Sequence, residues 1–514
     1  MRNAVRRFMT AKNTDVPLLL DATIRSLSEG LEACRFTSVD IVEAYISRIQ
    51  ETSEFRAILE INPDARVIAR SLDEERAHSA SRGPLHGIPI LVKDNILTKD
   101  ILHASAGSYA LLGAKPSWAN FRGLSINSGW SPRGGQTLGA YYQNSSPDGS
   151  SSGSAVAAAL GLCTAALGTE KTFGSIMDPA EINNVVGYKP TRGLIANDGV
   201  IPISNRQDVI GTLTRSVEDA AYMLSHMAGR SDLDPGTWYI PFPKIPNYTN
   251  FCNTNLSGMR IGVPRNAFPS DAPAPILASF NSAVETIQSA GATIIDNANF
   301  TAAEEFRKLN QRVKGIVRSS EFKRDIVKYL KTLATNPNEI HSAEDIINFT
   351  MTCPEEDYPD KDIGKLLWTQ EEGVDVNSDK YRKMVAQELY YGGKGGILGA
   401  IDEYQLDAII VPSTLGIAND LAAKMGFPVM SVPLGFWPEE TPIEYDTRNL
   451  GLIKTAPGIP YCLTIVGSGY SDGKIIQVAY TFEQLAAVRA KGPLPFKVPK
   501  TELKGNVGYT SRIN

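Results

Sequence analysis

The chain has 514 residues, which is enough to bury a large hydrophobic core, and its length alone allows about two to four domains. Hydrophobic residues make up 42% and charged residues 21%, a composition typical of globular proteins that excludes wholesale disorder. The net charge is −5 with both signs well mixed, so we expect no nucleic-acid partner.

Cysteine and histidine usage argues against a disulfide framework and against a metal site. The five cysteines are scattered without a C-x-x-C pair, and none of the five histidines belongs to an H-E-x-x-H pattern. No apolar run approaches the roughly 20 residues that cross a bilayer, so we expect no membrane segment. The apolar stretch Val16–Leu20 is shorter than the about 7–15 residues of a signal-peptide core, which favours a cytoplasmic location. Sequons such as Asn247 leave secretion as the alternative.

The first predicted elements are two helices between Thr23 and Gln50, after an N-terminal tail at 1–20. Gly30 interrupts their apolar stripe, and Thr37 with Asp40 has the spacing of a capping box that opens the second helix. The apolar residues of these two helices form a stripe that faces the core and includes no candidate catalytic residue.

The next predicted element is a buried strand, Ile88–Val92, that ends at Lys93. Burial lowers the pKa of a lysine and suits it to act as a base. The structural alternative is that Lys93 pairs with Asp94 or extends to solvent from the strand end.

Two serine-containing segments follow. A Gly- and Ser-rich stretch (123–153) runs into "DGSSSGSAVAAALGL" (148–162), which predicts exposed N–H groups and hydroxyls ahead of an Ala-rich helix over 154–162. In "LGTEKTFGSIMDPA" (167–180), Gly174–Ser175 lies in a turn that can present a hydroxyl beside backbone N–H groups. Taken singly, either segment is equally a cap, a linker or a plain turn.

The second half of the chain alternates strands and helices. We predict a strand in "SGMRIGVPRN" (257–266), helices at 276–290 and 302–330, a polar and irregular surface insertion at 331–380, and strands at 406–412 and 461–469. Apolar strands alternating with helices predict an α/β fold around a buried sheet. No G-x-G-x-x-G links a strand to a helix, so a nucleotide cofactor is not expected.

In their order along the chain, these motifs resemble the amidase signature family. The resemblance rests on lysine after "GIPILV", the "GSSSGS" loop and "GT…GSI…PA", followed by "NNVVGYKPTRGLIANDGVIPISNRQDVIGTLTRSVEDAA" (183–221). It extends to "FPVMSVPLGFWP" and "KTAPGIPYCLTIVGSGYSDGKIIQVAYTFEQ", covers about Leu18 to Leu503, and is closest to the fungal-type members.

The resemblance implies a fold and an activity. The fold is α/β, a large twisted mixed sheet covered by helices on both sides, within one domain at 21–504 whose signature core spans about 83–221, followed by a tail at 505–514. The activity is hydrolysis of carbon–nitrogen bonds in small-molecule carboxamides, with neutral aryl or alkyl amides as the expected class. No cofactor or metal is implied, and whether the chain forms a homodimer stays open.

The resemblance also implies the site residues, carried over by motif. Ser175 is the nucleophile, Ser150 the bridging serine after a cis Gly149–Ser150 peptide bond, and Lys93 the base, with Ser151 and Ser152 as neighbouring alternatives to Ser150. The expected oxyanion-hole residues are Thr172, Phe173 and Gly174, and the expected substrate-binding residues are Gly107, Ser108 and Ser151.

Two departures from the family pattern define the alternatives. Pro116 runs through Ser117 into Trp118, where family members carry about one further β–α unit, on the order of 30 residues. The nucleophile loop is one residue longer than usual. An impaired or inactive family member is therefore the first competing hypothesis. The A-type subunit of a tRNA-dependent amidotransferase is a separate alternative, which the fungal-type pattern favours less than a stand-alone enzyme.

Overall fold

The structure is a computed structural model that describes residues 16–504 except 80, 106, 113–125, 171–173, 270 and 414–415. Its α-helices are Ile24–Glu32 (α1), Ser38–Glu51 (α2), Ala65–His78 (α3), Ser152–Ala159 (α4), Met177–Ile182 (α5), Val217–Met227 (α6), Ala274–Ser289 (α7), Ala303–Lys308 (α8), Gln311–Leu330 (α9), Ala343–Thr352 (α10), Gly364–Glu372 (α11), Asp379–Gly392 (α12), Ile397–Tyr404 (α13), Ile417–Met425 (α14), Asp472–Ala486 (α15) and Val488–Lys491 (α16).

Local sequence signals set the first two helices. The Thr37 hydroxyl accepts the Asp40 N–H while the Asp40 carboxylate accepts the Thr37 N–H, which confirms the predicted capping box. Thr23 and Ser26 form a second such box at the start of α1. Gly30 marks a close approach, since a Cβ there would lie 2.1 Å from the ring of Phe36.

An eight-stranded mixed sheet forms the centre of the fold. Its strands are Ala165–Glu170 (β3), Val186–Lys189 (β4), Val209–Thr214 (β5), Arg260–Val263 (β6), Thr293–Asp296 (β7), Ala408–Pro412 (β8), Val429–Phe436 (β9) and Pro460–Val466 (β12), in the order β3-β5-β4-β9-β12-β8-β6-β7. Pairing is antiparallel from β3 to β8 and parallel from β8 through β6 to β7. Two short hairpins lie outside it: Trp130–Ser131 (β1) with Gly135–Gln136 (β2), and Glu444–Tyr445 (β10) with Ile453–Thr455 (β11).

The central strands are buried on both faces. Every residue of β5, β8 and β12 is buried, because helices cover the two sides of the sheet. The predicted α/β class with a mixed sheet is confirmed. No helix in the described part of the chain is both long and apolar enough to span a membrane.

The predicted strand Ile88–Val92 is only partly formed. Leu91 makes a single parallel bridge to Ala166, and the Lys93 N–H donates to the Leu167 carbonyl at 3.2 Å. The segment therefore lies along β3, which fixes the backbone of Lys93 beside the sheet.

Helices replace the predicted irregular insertion at 331–380. The predicted irregular structure is wrong because α10, α11 and the start of α12 lie there, whereas the insertion itself stays a prediction. Their buried faces form a second hydrophobic core with α9, in which Ile346, Ile363 and Leu366 pack with Phe322. The predicted helix at 302–330 is broken at Asn310, whose side chain caps α9 by accepting the Val313 N–H at 2.8 Å.

Candidate active site

Lys93 contacts two serines of the Gly- and Ser-rich segment. Its Nζ lies 2.6 Å from Ser150 Oγ and 2.9 Å from Ser151 Oγ. The Ser151 hydroxyl also accepts the Thr169 N–H at 3.3 Å, which ties the serine segment to β3. The structure thus brings together a partly buried amine and two hydroxyls from distant parts of the sequence.

The serine segment has an unusual backbone and a tight packing environment. The Gly149–Ser150 peptide bond is cis, as the resemblance implies. Helix α4 begins directly after it, and a Cβ at Gly153 would lie 2.3 Å from the Ala57 carbonyl oxygen. Ser151 and Ser152 are almost fully buried, at 1% and 2% exposure, so close packing holds the segment in place.

Ser175 lies against this segment. Its carbonyl accepts the Ser151 N–H at 2.9 Å, and its side chain lines the same cavity as Lys93 and Ser150. The three predicted catalytic residues therefore share one cavity, with the lysine in hydrogen-bond contact with the predicted bridging serine.

The Glu170 carboxylate organises the turn that carries Ser175. It accepts the N–H groups of Gly174 and Ser175 at 2.8 Å and of Ile176 at 2.7 Å, with only 1% of the residue exposed. Glu170 was not among the residues expected at the site, although it lies inside the motif that contains the serine.

This arrangement differs from the predicted oxyanion hole at Gly174. The Gly174 N–H already has a buried carboxylate partner, so it is not directed at a substrate. Thr172 and Phe173, the other two predicted oxyanion residues, lie outside the described residues.

Lys189 of β4 lies near Glu170. Burial lowers the pKa of Lys189 to about 8, and the carboxylates of Glu170 and Asp472 act in the opposite direction. Its Nζ donates to the Phe427 carbonyl. A buried lysine thus supplies positive charge near the carboxylate that holds the turn at Ser175.

Asp94 holds the loop that contains the predicted substrate-binding glycine. Its carboxylate accepts the Ser105 N–H at 2.9 Å and the Gly107 N–H at 2.6 Å, and Arg133 lies 3.7 Å away. Burial raises the pKa of Asp94 to about 6. Gly107 adopts φ +88° and lines the cavity, as does Ser151.

Ser108, another predicted substrate-binding residue, is not among the residues that line the cavity. Its hydroxyl donates to Glu356 at 2.6 Å, and the Tyr109 N–H donates to the same oxygen at 2.6 Å. Glu356 follows α10, so this contact joins the Gly107 loop to the helical layer.

The shared cavity has a volume of about 930 Å³. It extends from the serines past the loop Ala57–Asn62 to α9 and α11, where Arg318 and Trp368 line it. This volume suits a small organic ligand, since such sites span roughly 300–1,000 Å³. Among the described residues, no group of His, Cys, Asp or Glu side chains is placed to hold a metal ion.

Sequence comparisons identify relatives along nearly the whole chain. The family model described as Amidase matches residues 40–118 and 123–476. A protein of Arthroderma benhamiae named as an amidase is 38% identical over 98% of this chain and 91% of its own length. The A-type subunit of glutamyl-tRNA(Gln) amidotransferase from Enterococcus faecalis is 27% identical over 93% of this chain and 98% of its own.

Solved structures give the same relationship. The native peptide amidase of Stenotrophomonas maltophilia superposes with a TM-score of 0.81 at 32% identity, over 93% of this chain and 99% of that one. An amidase family protein of Bacillus anthracis reaches a TM-score of 0.78 at 26% identity, over 94% of this chain and 93% of that one.

The fungal relative carries residues that this chain lacks. Their alignment spans 549 positions, more than the 514 residues of this chain. The family match is also interrupted between 118 and 123, next to the predicted missing β–α unit. Residues 113–125 lie outside the described part, so the unit itself stays a prediction.

Proposed function

The chain belongs to the amidase signature family of carbon–nitrogen hydrolases, and on that premise we propose that Lys93, Ser150 and Ser175 form its catalytic relay. The observation that carries the proposal is the 2.6 Å contact between Lys93 Nζ and Ser150 Oγ inside the cavity that Ser175 lines. A lysine in contact with a hydroxyl can take its proton when the amine is neutral.

The proposed reaction has two stages. The Ser175 hydroxyl attacks the amide carbonyl carbon, while its proton passes through Ser150 to neutral Lys93. The carbon–nitrogen bond then breaks, and the proton on Lys93 returns through the relay to the departing amine. Water attacks the resulting ester at Ser175 and gives a proton to Lys93. The bond between the acyl carbon and the Ser175 oxygen then breaks, the proton returns from Lys93 through Ser150 to that oxygen, and the carboxylic acid is released.

The oxyanion donors are proposed from the same turn. Glu170 accepts the N–H groups of Gly174, Ser175 and Ile176. Thr172 and Phe173, which lie outside the described residues, stay the proposed donors to the developing negative charge. Ser151 would act beside Ser150, since its hydroxyl also contacts Lys93 at 2.9 Å.

Two substitutions test the relay. Ser175→Ala removes the nucleophile, so we expect no turnover of a broad amide and ester panel. Lys93→Ala removes the base, and we expect turnover to fall by about 100- to 10,000-fold. Thermal unfolding and circular dichroism should match the wild type. Equal turnover by wild type and either variant would refute the assignment.

A fluorophosphonate probe separates the proposed hydrolase from the inactive alternative. Covalent labelling at Ser175, mapped by peptide mass spectrometry and lost in Ser175→Ala, is the result expected of an activated serine. The Ser282→Ala variant is the matched control, because Ser282 is an exposed serine of α7 that does not line the cavity and should leave labelling intact. A folded wild-type protein without labelling would favour the inactive alternative.

A further inference from the structure

Arg318 is a cationic side chain on the wall of the cavity, and it has no hydrogen-bond or ion-pair partner among the described residues. It projects from α9 and lines the same cavity as Ser175. Within the described part of the chain its guanidinium makes no hydrogen bond or ion pair, and its Nε is buried. A guanidinium carries five N–H donors and stays charged, so leaving it unpaired is unfavourable.

The carboxylates nearest to Arg318 already have other donors. Burial lowers the pKa of Arg318, and four carboxylates oppose this effect at longer range. Glu321 accepts hydrogen bonds from the Arg206 guanidinium at 2.9 Å and from the Tyr381 hydroxyl at 2.7 Å. Lys424 lies 2.7 Å from Glu388 and 3.6 Å from Asp420. Asp208 accepts the Ile203 N–H at 2.8 Å. These acids therefore do not supply the acceptors that the guanidinium lacks.

Further positive charge faces the same part of the cavity. Lys365 of α11 and Arg448 both line it. Burial lowers the pKa of Lys365, and the charges of Arg318 and Arg448 lower it further, whereas Asp362 acts in the opposite direction. Arg448 is itself 3.4 Å from Asp148. Arg318 and Lys365 thus place two basic side chains on the cavity wall, which Glu371 of α11 also lines.

Packing holds Arg318 in position. A Cβ at Gly315 would lie 3.3 Å from Arg318 Nη2 and 3.2 Å from the indole of Trp368. The absence of a side chain at Gly315 lets the guanidinium and the indole lie together against α9. A positioned planar guanidinium matches the two oxygens of a carboxylate.

We propose that Arg318 binds a carboxylate of the substrate, so that the amide this enzyme cleaves carries an acidic group away from the scissile bond. This inference rests on the proposed function, because it assigns the far end of the cavity that holds Ser175. It also differs from the neutral-amide class expected from the sequence, in which the position of Arg318 was not visible.

Matched anilide substrates test the proposal. The mono-4-nitroanilides of succinic, glutaric and adipic acid each keep one free carboxylate. They are compared with the butanoyl, pentanoyl and hexanoyl 4-nitroanilides, which have the same chain lengths and no charge. We expect kcat/KM to favour one of the acidic series over its uncharged match. Arg318→Met should lower kcat/KM for that substrate by about 10- to 100-fold, the range for a charged hydrogen bond, and leave the uncharged match within about threefold.

Two further variants sharpen the test. Lys328→Met removes a positive charge from an exposed position on the same helix outside the cavity and should change neither substrate. Arg318→Lys keeps the charge without the planar fork and should recover part of the lost activity. Loss of both substrates alike in Arg318→Met, or a wild type without preference for any acidic substrate, would overturn the proposal.

Binding to Ser175→Ala separates this proposal from the proposed function. Calorimetry should show tighter binding of the preferred acidic anilide than of its uncharged match, and the difference should vanish when Arg318→Met is added. Equal binding of the two would reject the role of Arg318. Continued turnover by Ser175→Ala would instead reject the nucleophile assignment.

Discussion

Glu170 holds the turn that carries the proposed nucleophile, Ser175, through hydrogen bonds to the backbone. Its two oxygens accept three successive N–H groups, and a glutamine at this position has only one acceptor oxygen. We expect Glu170→Gln to lower the free energy of unfolding by about 2 kcal/mol, because at least one buried N–H loses its partner. Since Ser175 then leaves its position, kcat should fall by about 10- to 100-fold with little change in KM.

The measurements for Glu170→Gln are steady-state kinetics, urea unfolding and the rate of fluorophosphonate labelling. Glu339→Gln, at an exposed position far along the sequence, is the control for loss of one negative charge. Wild-type labelling of Ser175 in Glu170→Gln would contradict the role assigned to the carboxylate.

The buried carboxyl of Asp94 makes the free energy of unfolding depend on pH. Burial raises its pKa from the ordinary value of about 3.9 to about 6, so the folded protein binds this proton more tightly than the unfolded chain. Between about pH 4 and pH 6 the contribution of Asp94 to the free energy of unfolding therefore falls as pH rises, by about 3 kcal/mol in total, and is constant above that range.

Asp94→Asn isolates this contribution because asparagine does not titrate. Urea unfolding of wild type and variant from about pH 4 to pH 7 gives the difference in their free energies of unfolding. That difference, wild type minus variant, should decrease with rising pH and then level off near pH 6. A flat difference across this range would show that Asp94 keeps an ordinary pKa in the folded protein.

Sequence motifs could predict which catalytic side chains meet, but not what supports them. Lys93 and Ser150 are 57 positions apart, and their order within the motif set was sufficient to pair them. The partners of Glu170 are backbone N–H groups, and backbone groups leave no mark in the residue types. Arg318 lies on a helix whose apolar pattern predicts burial of one face without indicating which cavity its polar face lines.

At the scale of single elements, α4 depends on its contact with the loop at Ala57. Gly153→Ala would place a Cβ 2.3 Å from the Ala57 carbonyl oxygen, and backbone atoms must move to make room. We expect the free energy of unfolding to fall by about 1–3 kcal/mol, the range for overpacking, although alanine favours helix formation. Because α4 follows the serine segment directly, kcat should fall as well.

Gly229→Ala is the matched control for Gly153→Ala. A Cβ at Gly229 meets nothing within 4 Å, so its melting temperature and kcat should match the wild type. Thermal unfolding of both variants compares the two positions under identical conditions. Equal stability of Gly153→Ala and wild type would show that α4 can shift away from the loop without loss.

Elements with local signals were predictable, and elements that need distant partners were not. The capping box at Thr37 and the apolar spacing of α2 define that helix without tertiary information. The helices at 331–380 are short, and their outer faces are polar. Their apolar residues form a continuous cluster only when these helices pack on α9, so the sequence alone did not indicate them. The segment Ile88–Val92 has residues that suit a strand. Its neighbour β3 pairs along its full length with β5, whereas the segment itself makes only a single bridge to β3.

The whole sheet is built from pairings that span most of the chain. Strand β4 pairs with β9, more than two hundred positions later, and β12 lies between β9 and β8. Such an order has no local signature, so only the family resemblance could anticipate it. The same long-range assembly places the helical layer of α9 and α11 opposite the serines and creates the cavity between them.

Glu356 links that helical layer to the catalytic half of the molecule. It is fully buried and accepts the Ser108 hydroxyl and the Tyr109 N–H at 2.6 Å and the Ala110 N–H at 3.3 Å, while Asp94 holds the preceding Gly107. All three donors share one Glu356 oxygen, so Glu356→Gln keeps an acceptor for them but removes its negative charge and weakens the charge-assisted hydrogen bonds. We expect the free energy of unfolding to fall by about 2 kcal/mol.

The kinetic effect of Glu356→Gln should distinguish the cavity wall from the catalytic relay. The loop at Gly107 lines the cavity, whereas the contact between Lys93 and Ser150 rests on β3 and the serine segment. Loosening the loop should therefore raise KM by about tenfold and leave kcat nearly unchanged. Glu339→Gln again serves as the exposed control. A fall in kcat at constant KM would instead mean that the helical layer positions the proposed relay of Lys93 and Ser150. Substrate binding at the cavity wall and proton transfer in the relay would then not be separable.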